Sequence, residues 1–370
     1  MPGSIKKDGS TWYYILELGK DPKSGKRKQK KKRGFKTKKE AQAALVQAEN
    51  EVLKGTFVET EILYKDFLDK WLEDKKTKVK ESTLSTYTWL TNTYISPTLG
   101  MYELSNLKPW IIQDFYNELV NQGKLSRENV QKVHSLVHDS LKRAERWELI
   151  QRNPASLVDR PRASKKEMSF WTQEEVLTFL KEAKDDRLYG AFLLAITTGM
   201  RQAEILGLRW KDIDFNDGSL CIVQTLSHDG KRLITGAKTN ASIRKVDLPE
   251  ETLRALRIHY KLIHFEKCEL EDGYQDHDLV VCTQLGTPVI PRNLMRSFYR
   301  ITRNAGVPKI RFHDLRHTHA SMLLKQGVNP KIVAERLGHA NIRITLETYS
   351  HLMPSMQKET AQNFGKLLFG

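Results

Sequence analysis

No apolar run in the chain approaches the ~18 residues needed to cross a bilayer. No apolar core follows the early charges Lys6, Lys7 and Asp8 either, so neither a membrane anchor nor an export signal is expected. Cysteine is scarce. Cys221, Cys268 and Cys282 stand far apart without CxxC spacing, and read as thiols of a reducing compartment rather than a disulfide set or zinc site. There is no internal repeat, and no low-complexity tract beyond one lysine cluster. These absences leave a cytoplasmic protein with ordinary cores. Its 39% hydrophobic and 29% charged residues fit that class, and 370 residues allow two or three domains.

Charge is present in excess and unevenly placed. The formal net charge is +16, and residues 1–39 carry 14 Lys and Arg against 3 Asp and Glu. A basic segment beside ordinary domains points to a polyanion. Nucleic acid, an anionic membrane and a merely solvated lysine-rich face all remain open on charge alone.

Residues 1–57 form the first expected unit. Thr11 to Leu18 is rich in aromatic and β-favouring residues, Asp21 to Lys26 is a turn signal, and about Arg27 to Gly34 makes a second, basic strand. A helix follows with Thr37 as N-cap and Ala41, Ala44, Leu45, Ala48 and Val52 at helical spacing. Alternation predicts one sheet face against this helix and the other, lysine-rich, turned outward. Residues 62–160 read as helices, with stripes at Leu63, Phe67, Trp71 and Leu72, and from Leu84 to Ile95, the latter ended by Pro97 and Gly100. Two more helices surround Trp110–Leu119 and Val130–Trp147, and the aromatics throughout read as core. Val158 to Lys166 has charge, proline and no periodicity, as a linker does. Residues 168–370 open on a helix capped by Thr172 and Glu175. A second helix spans Tyr189–Thr198, β structure runs from Leu220 to Leu248, and helices dominate thereafter. The expected class is α+β and mainly α: a small sheet-plus-helix domain, a helical domain, and a mixed, mainly α domain with a small antiparallel sheet.

Three segments of the last unit carry candidate chemistry. In the first, a helix stops at Gly199, Arg201 starts another, and Glu204 at i+3 can hold the arginine from behind; a weak surface ion pair is the plain alternative. In the second, Phe312-His313-Asp314-Leu315-Arg316-His317-Thr318-His319, His313 and Arg316 share a helical face. Arginine grips two oxygens of a phosphate and histidine moves protons near neutral pH. A metal held by His313, His317 and His319 is the rival, but the glutamate of an HExxH motif is missing. In the third, Gly338-His339 follows a helix opened by Asn329 and Pro330, and Tyr349 stands ten residues beyond His339.

Together these segments resemble the tyrosine recombinase (phage integrase) family: Arg201, His313-Asp314-Leu315-Arg316, Gly338-His339 and Tyr349 occur in the family's order and spacing. Lys238, in Gly236-Ala237-Lys238-Thr239-Asn240, corresponds to the family's β-hairpin lysine. The likeness extends to 62–160 as the helical core-binding domain, 1–57 as the arm-binding domain and 168–370 as the catalytic domain. It implies an integrase of a phage or integrative conjugative element, acting in a bacterial host at the nucleoid. Tyr349 would attack a DNA phosphate, forming a 3′-phosphotyrosyl bond. His313 would accept its proton, and Arg201, Arg316 and His339 would hold the phosphate. Lys238 would protonate the 5′ leaving oxygen, and neither metal nor cofactor is required. The resemblance further implies double-stranded attachment sites of core and arm type, contacted at the N-terminus by Lys26, Arg27, Lys28, Lys30, Lys31, Lys32 and Arg33. The apolar tail set Met353, Met356, Phe364, Leu367, Leu368 and Phe369 can pack on its own domain or on a neighbour; the resemblance favours the neighbour, in a homotetramer on DNA, with a host DNA-bending protein and an excision factor as further partners. A chromosome-dimer resolvase of the same family, a type IB topoisomerase and a non-catalytic DNA-binding protein are the alternatives; of these, resolvases usually lack the N-terminal module.

Overall fold

The structure, a computed structural model, describes residues 3–20, 25, 27–53, 62–162, 169–236, 243–349 and 354–369. Lys26 and Lys238 lie outside the described residues. The chain divides into two compact units, Met1–Lys165 and Lys166–Gly370.

The first unit holds two separate cores. At the N-terminus, strands β1 (Ser4–Asp8), β2 (Thr11–Lys20) and β3 (Arg27–Phe35) form an antiparallel sheet in that order, followed by helix α1 (Lys38–Leu53). The sequence had shown two of these strands. β1 escaped notice because its one apolar residue, Ile5, gives no visible alternation. Thr37 caps α1 as expected, its hydroxyl accepting from the Glu40 amide at 3.2 Å. Tyr14 and Leu16 of β2 meet Leu45 and Ala48 of α1 in a small core.

Helices α2 (Tyr64–Lys76), α3 (Glu81–Leu90), α4 (Ser96–Leu99), α5 (Pro109–Gln122) and α6 (Arg127–Arg146) build the second core around Tyr64, Phe67, Trp71 and Tyr116. Pro97 does not end its helix. A π-helical turn, Thr91–Ile95, joins α3 to α4, and the proline sits in the first turn of α4, where it is tolerated. Not every aromatic is core. Trp110 is 66% exposed and Trp89 47%, since each helix buries one face only.

Near the start of the second unit, the Trp171 ring packs against Phe179 and Phe298, and its indole N–H donates to the Pro308 carbonyl at 2.8 Å. The expected capping box is complete: Glu175 N–H donates to Thr172 Oγ1, and Thr172 N–H to Glu175 Oε2. Helices α7 (Gln173–Ala183), α8 (Tyr189–Thr198) and α9 (Gln202–Gly207) lead into short strands. Of these, β4 (Ile213–Asp214), β5 (Ser219–Ile222) and β8 (Arg244–Asp247) form one antiparallel sheet, and β6 (Gln224–Leu226) pairs with β7 (Leu233–Thr235). The β region thus starts seven residues before the expected Leu220. Helices α10 (Glu250–Leu270), α11 (Pro291–Asn304), α12 (Asp314–Lys325), α13 (Pro330–Leu337), α14 (Ile342–Tyr349) and α15 (Pro354–Phe369) complete the unit. The Trp171 amide donates to Thr318 Oγ1 at 3.1 Å, which ties the start of the unit to α12, the helix that carries His313-x-x-Arg316.

Candidate active site

The site is assembled on the ends of helices. α8 stops at Gly199, which has φ +66°; a Cβ there would lie 2.6 Å from Leu337 Cδ2 and 2.8 Å from His319 Cδ2. α13 stops in the same left-handed way at Gly338, φ +68°, against the Arg244 guanidinium. Both positions need glycine for conformation and for space. The last carbonyls of a helix lack helical partners, and here arginines take them. Arg316 Nη1 donates to Gly199 O at 2.7 Å and Nη2 to Leu337 O at 2.6 Å. Arg201 Nη2 donates to the next carbonyl, Gly338 O, at 3.3 Å. Two guanidinium groups on consecutive carbonyls are necessarily neighbours.

Glu204 holds this cluster together. It is 4% exposed, so the weak surface pair does not apply. Its Oε1 accepts from Arg201 Nη1 (2.8 Å) and Arg244 Nη1 (3.1 Å). Its Oε2 accepts from the Arg201 amide (2.8 Å) and Arg244 Nη2 (2.9 Å). Burial pushes the carboxyl pKa up, but the hydrogen bonds and charges of Arg244 and Arg201 outweigh it, and the net direction is down. Arg201 keeps an exposed side while Arg316 is buried. Burial first, then the Arg201 charge, lowers the Arg316 pKa to about 9. Arg244 was not anticipated. Its signal was the strand pattern: in β8 and just beyond, Arg244, Val246 and Leu248 are buried in alternation, so an arginine occupies an inward position.

The histidines divide into distinct environments. His319 is buried, with Nδ1–H donating to Ile196 O (2.8 Å) and Nε2 accepting from Arg336 Nε (3.1 Å). Neither nitrogen is left for a metal, and the described residues contain no cluster of three or more His, Cys, Asp or Glu able to hold one. His339 Nδ1 lies 2.8 Å from Thr345 Oγ1. The tautomer that accepts there leaves Nε2–H free to donate. His313 reaches solvent at the start of α12, its ring edge-on to His317 at 5.3 Å. Partial burial, then neighbouring His317 and Arg316, lowers the His313 pKa to about 4. Burial, Arg316 and Arg201 do the same for His339, also to about 4. Both rings are therefore neutral at pH 7.

Tyr349 ends α14 and is 1% exposed. Burial raises its pKa to about 12. Its oxygen lies 2.6 Å from His317 Nδ1. The expectation had given the phenol proton to His313. The structure instead puts the next turn of α12 on the phenol, because a residue four positions on from His313 is one turn nearer the end of α14. His317 had been noticed only as a metal candidate.

At the N-terminus the basic residues do not share one face. Lys32 pairs with Tyr14 and Lys30 with Leu16, on the side of the core, whereas Lys31 pairs with Ile15 on the other. Lys30, Lys31 and Lys32 are consecutive, so alternation must split them. Lys28 and Lys30 are half-buried, and Arg27, Lys31, Lys32 and Arg33 are exposed. Lys31 Nζ sits 3.7 Å from the Tyr13 ring centroid and the Arg33 guanidinium 6.0 Å from it, giving an aromatic and cationic outer face.

A tyrosine at the end of a helix, two arginines on adjacent carbonyls and neutral imidazoles around them form a group able to hold a phosphate beside a phenol oxygen. Residues 169–356 match the phage integrase family, residues 4–52 an arm DNA-binding domain, and residues 63–120 the N-terminal SAM-like domain of phage integrases. The chain belongs to the phage integrase family of site-specific tyrosine recombinases. It is 31% identical to a tyrosine recombinase XerC-like protein of Caldanaerobacter subterraneus subsp. tengcongensis, over 98% of this chain and 97% of the relative. It is 29% identical to the ICEBs1 integrase of Bacillus subtilis, over 76% of each. Among solved structures, the Tn1549 transposon integrase in complex with a circular intermediate DNA matches with a TM-score of 0.70 at 20% identity, covering 82% of this chain and 99% of that one. A lambda integrase tetramer bound to a Holliday junction matches at 0.62 and 19%, covering 93% and 94%. Among the described residues no helix is long and apolar enough to cross a membrane.

Two outcomes follow from the buried charges. Glu204→Gln leaves Arg244 buried without its counter-charge. Urea denaturation at pH 7 should show a loss on the order of 3–5 kcal/mol, the usual effect of removing one partner of a buried pair. The histidines set an acid limb. Folded pKa values near 4 for His313 and His339 lie below the ordinary 6.5, so the unfolded chain binds more protons between these values. Their contribution is fully present above pH 6.5 and is lost as pH falls toward 4. Denaturation midpoints measured from pH 7.5 to 4.5 should fall, and a flat profile would contradict the depressed values.

Proposed function

We propose that the chain integrates and excises a mobile element by four strand exchanges at core-type sites, with Arg201, Lys238, His313, Arg316, His339 and Tyr349 as its chemical residues. The observation that carries this reading is the pair of guanidinium groups on Leu337 O and Gly338 O, next to His339 and one residue along the chain from the histidine that touches Tyr349. A phosphodiester entering the cluster brings negative charge to crowded cations. Arg201, which keeps an exposed side, and the remaining N–H groups of Arg316 grip its non-bridging oxygens, where charge grows in the transition state. His339 Nε2–H and the solvent-facing ring of His313 add hydrogen bonds. Tyr349 attacks phosphorus and the 5′ oxygen leaves, taking its proton from Lys238. The phosphotyrosyl bond conserves the energy of the broken one, and a 5′-hydroxyl from another strand reverses the step.

The domains of the proposal are 1–57 for arm sites, 62–160 for the core site and 168–370 for catalysis. Two features support its assembly and its arm contacts. Phe364, Leu367, Leu368 and Phe369 of α15 are exposed, Phe369 by 89%, which suits a tail that docks on a neighbour in a homotetramer. The Tyr13, Lys31 and Arg33 face of the N-terminal sheet suits a DNA groove.

Tyr349→Phe should bind DNA normally yet form no covalent adduct on a nicked attachment-site duplex run on a denaturing gel, and Arg201→Lys should cut adduct formation severely, since a point charge cannot replace the planar fork. A normal adduct yield from the phenylalanine variant would sink the assignment. Removing residues 1–57 should leave core-site cleavage nearly intact and abolish footprints at distal arm sites. Loss of core cleavage, or an N-terminal module with no preferred sequence near the element's ends, would count against the arm assignment.

A further inference from the structure

We infer that His317 is the group that takes the proton from Tyr349 during cleavage and returns it during rejoining. The inference rests on Tyr349 being the nucleophile. Its ground is a contact to which the chemistry above gives no proton-transfer role: Tyr349 Oη and His317 Nδ1 are 2.6 Å apart, with ring centroids 5.7 Å apart. His317 lies directly after Arg316, on the helix whose guanidinium sits among the phosphate-binding groups.

A buried phenol usually takes a hydrogen-bond partner. A backbone carbonyl would satisfy it but could not carry its proton away. An imidazole does both, provided it is neutral with a lone pair on Nδ1. The charged and titratable groups around His317 are Asp314, Arg311, Arg316 and His313 from α12 and the residue run before it, His339 after α13, and Tyr349 from α14. Burial first lowers the His317 pKa; Asp314 opposes this, and Arg311 and Arg316 reinforce it. The lowered pKa keeps the ring neutral at pH 7, and the step uses the tautomer with its hydrogen on Nε2, whose Nδ1 lone pair faces the phenol. Tyr349 needs this help more than an exposed tyrosine, since its phenol is raised to about 12.

The step balances. The Tyr349 O–H bond breaks and its proton passes to His317 Nδ1. The phenol oxygen bonds to phosphorus, the bond to the 5′ oxygen breaks, and that oxygen is protonated by the general acid. In rejoining, the incoming 5′-hydroxyl attacks phosphorus and loses its proton to the general acid left deprotonated by cleavage, the phosphotyrosyl bond breaks, and His317 gives its proton back to the phenol oxygen.

The test uses the full chain and a nicked duplex carrying the junction sequence read from the DNA that flanks the gene. His317→Asn keeps a hydrogen-bond acceptor near the position of Nδ1 but cannot take a proton; His317→Ala removes both. Both should bind the duplex as wild type does and form adduct about 100-fold more slowly at pH 7, within the usual range for general-base removal. Wild-type rates should level off above the imidazole titration, whereas the variants' rates should keep rising to pH 9. Global fluorotyrosine labelling, which lowers the phenol pKa, should speed His317→Asn more than wild type. An asparagine variant within threefold of the wild-type rate, or faster than it, overturns the inference and makes His317 a packing partner or a latch. So does an unchanged pH profile or a failed fluorotyrosine rescue. Wild-type protein that forms no adduct through Tyr349 overturns the active-site assignment itself, and this inference with it.

Discussion

The carbonyl ends of α8 and α13 hold Arg316 and Arg201 where hydration or acidic side chains could have held them. Each carbonyl at a helix C-terminus carries partial negative charge and lacks a helical donor. Placing guanidinium groups there satisfies both parties at once. It also permits like charges to sit side by side, with Glu204 as the carboxylate shared by Arg201 and Arg244. The cluster holds more positive than negative charge, and under the proposed function a DNA phosphate would supply the balance. Burial and the neighbouring Arg201 charge lower the Arg316 pKa in its absence.

Tyr349, the proposed nucleophile, obeys a different constraint. Tyr349 is packed with Ala320, Leu324, Val333 and Leu337 in a small core of its own. The burial that fixes its ring also makes its phenol a poor acid. Holding the oxygen against an imidazole reconciles the two. The same helices, α12 and α13, supply both the packing and the arginine-binding carbonyls, so the position of the tyrosine and that of the phosphate grip are set by one body of contacts.

Much of this was readable in the residues. Capping signals placed α1, α7 and α13 with their first residues, because a cap is local chemistry at fixed spacing. The ordered Arg201, His313, Arg316, His339 and Tyr349 could be picked out, and the fold brings Arg201, Arg316 and His339 onto adjoining groups. What was hidden depends on tertiary structure. The strand around Ile5 exists only because β2 is there to pair with it. Pro97 looked like a stop, and a π turn before it made it a first-turn residue. The pairing of His317 rather than His313 with the phenol depends on how the end of α14 meets α12, which no spacing within either helix reveals. Alternation in the basic strand is legible in the sequence, but which lysines face outward depends on its register with β2, which puts Lys30 and Lys32 opposite Leu16 and Tyr14 and Lys31 opposite Ile15.

The arginine partners are mostly main-chain atoms, and this bears on how such a sequence can drift. A carbonyl is present whatever the side chain, so replacements along the exposed side of α13 leave the guanidinium partners untouched. Lengthening or shortening either helix by one residue is another matter. It turns the terminal carbonyls by about 100° and moves them about 1.5 Å along the axis, so every acceptor is lost together. The arginine cluster therefore tolerates exchange of side chains on the outer face of α13 but not a change in the length of either helix.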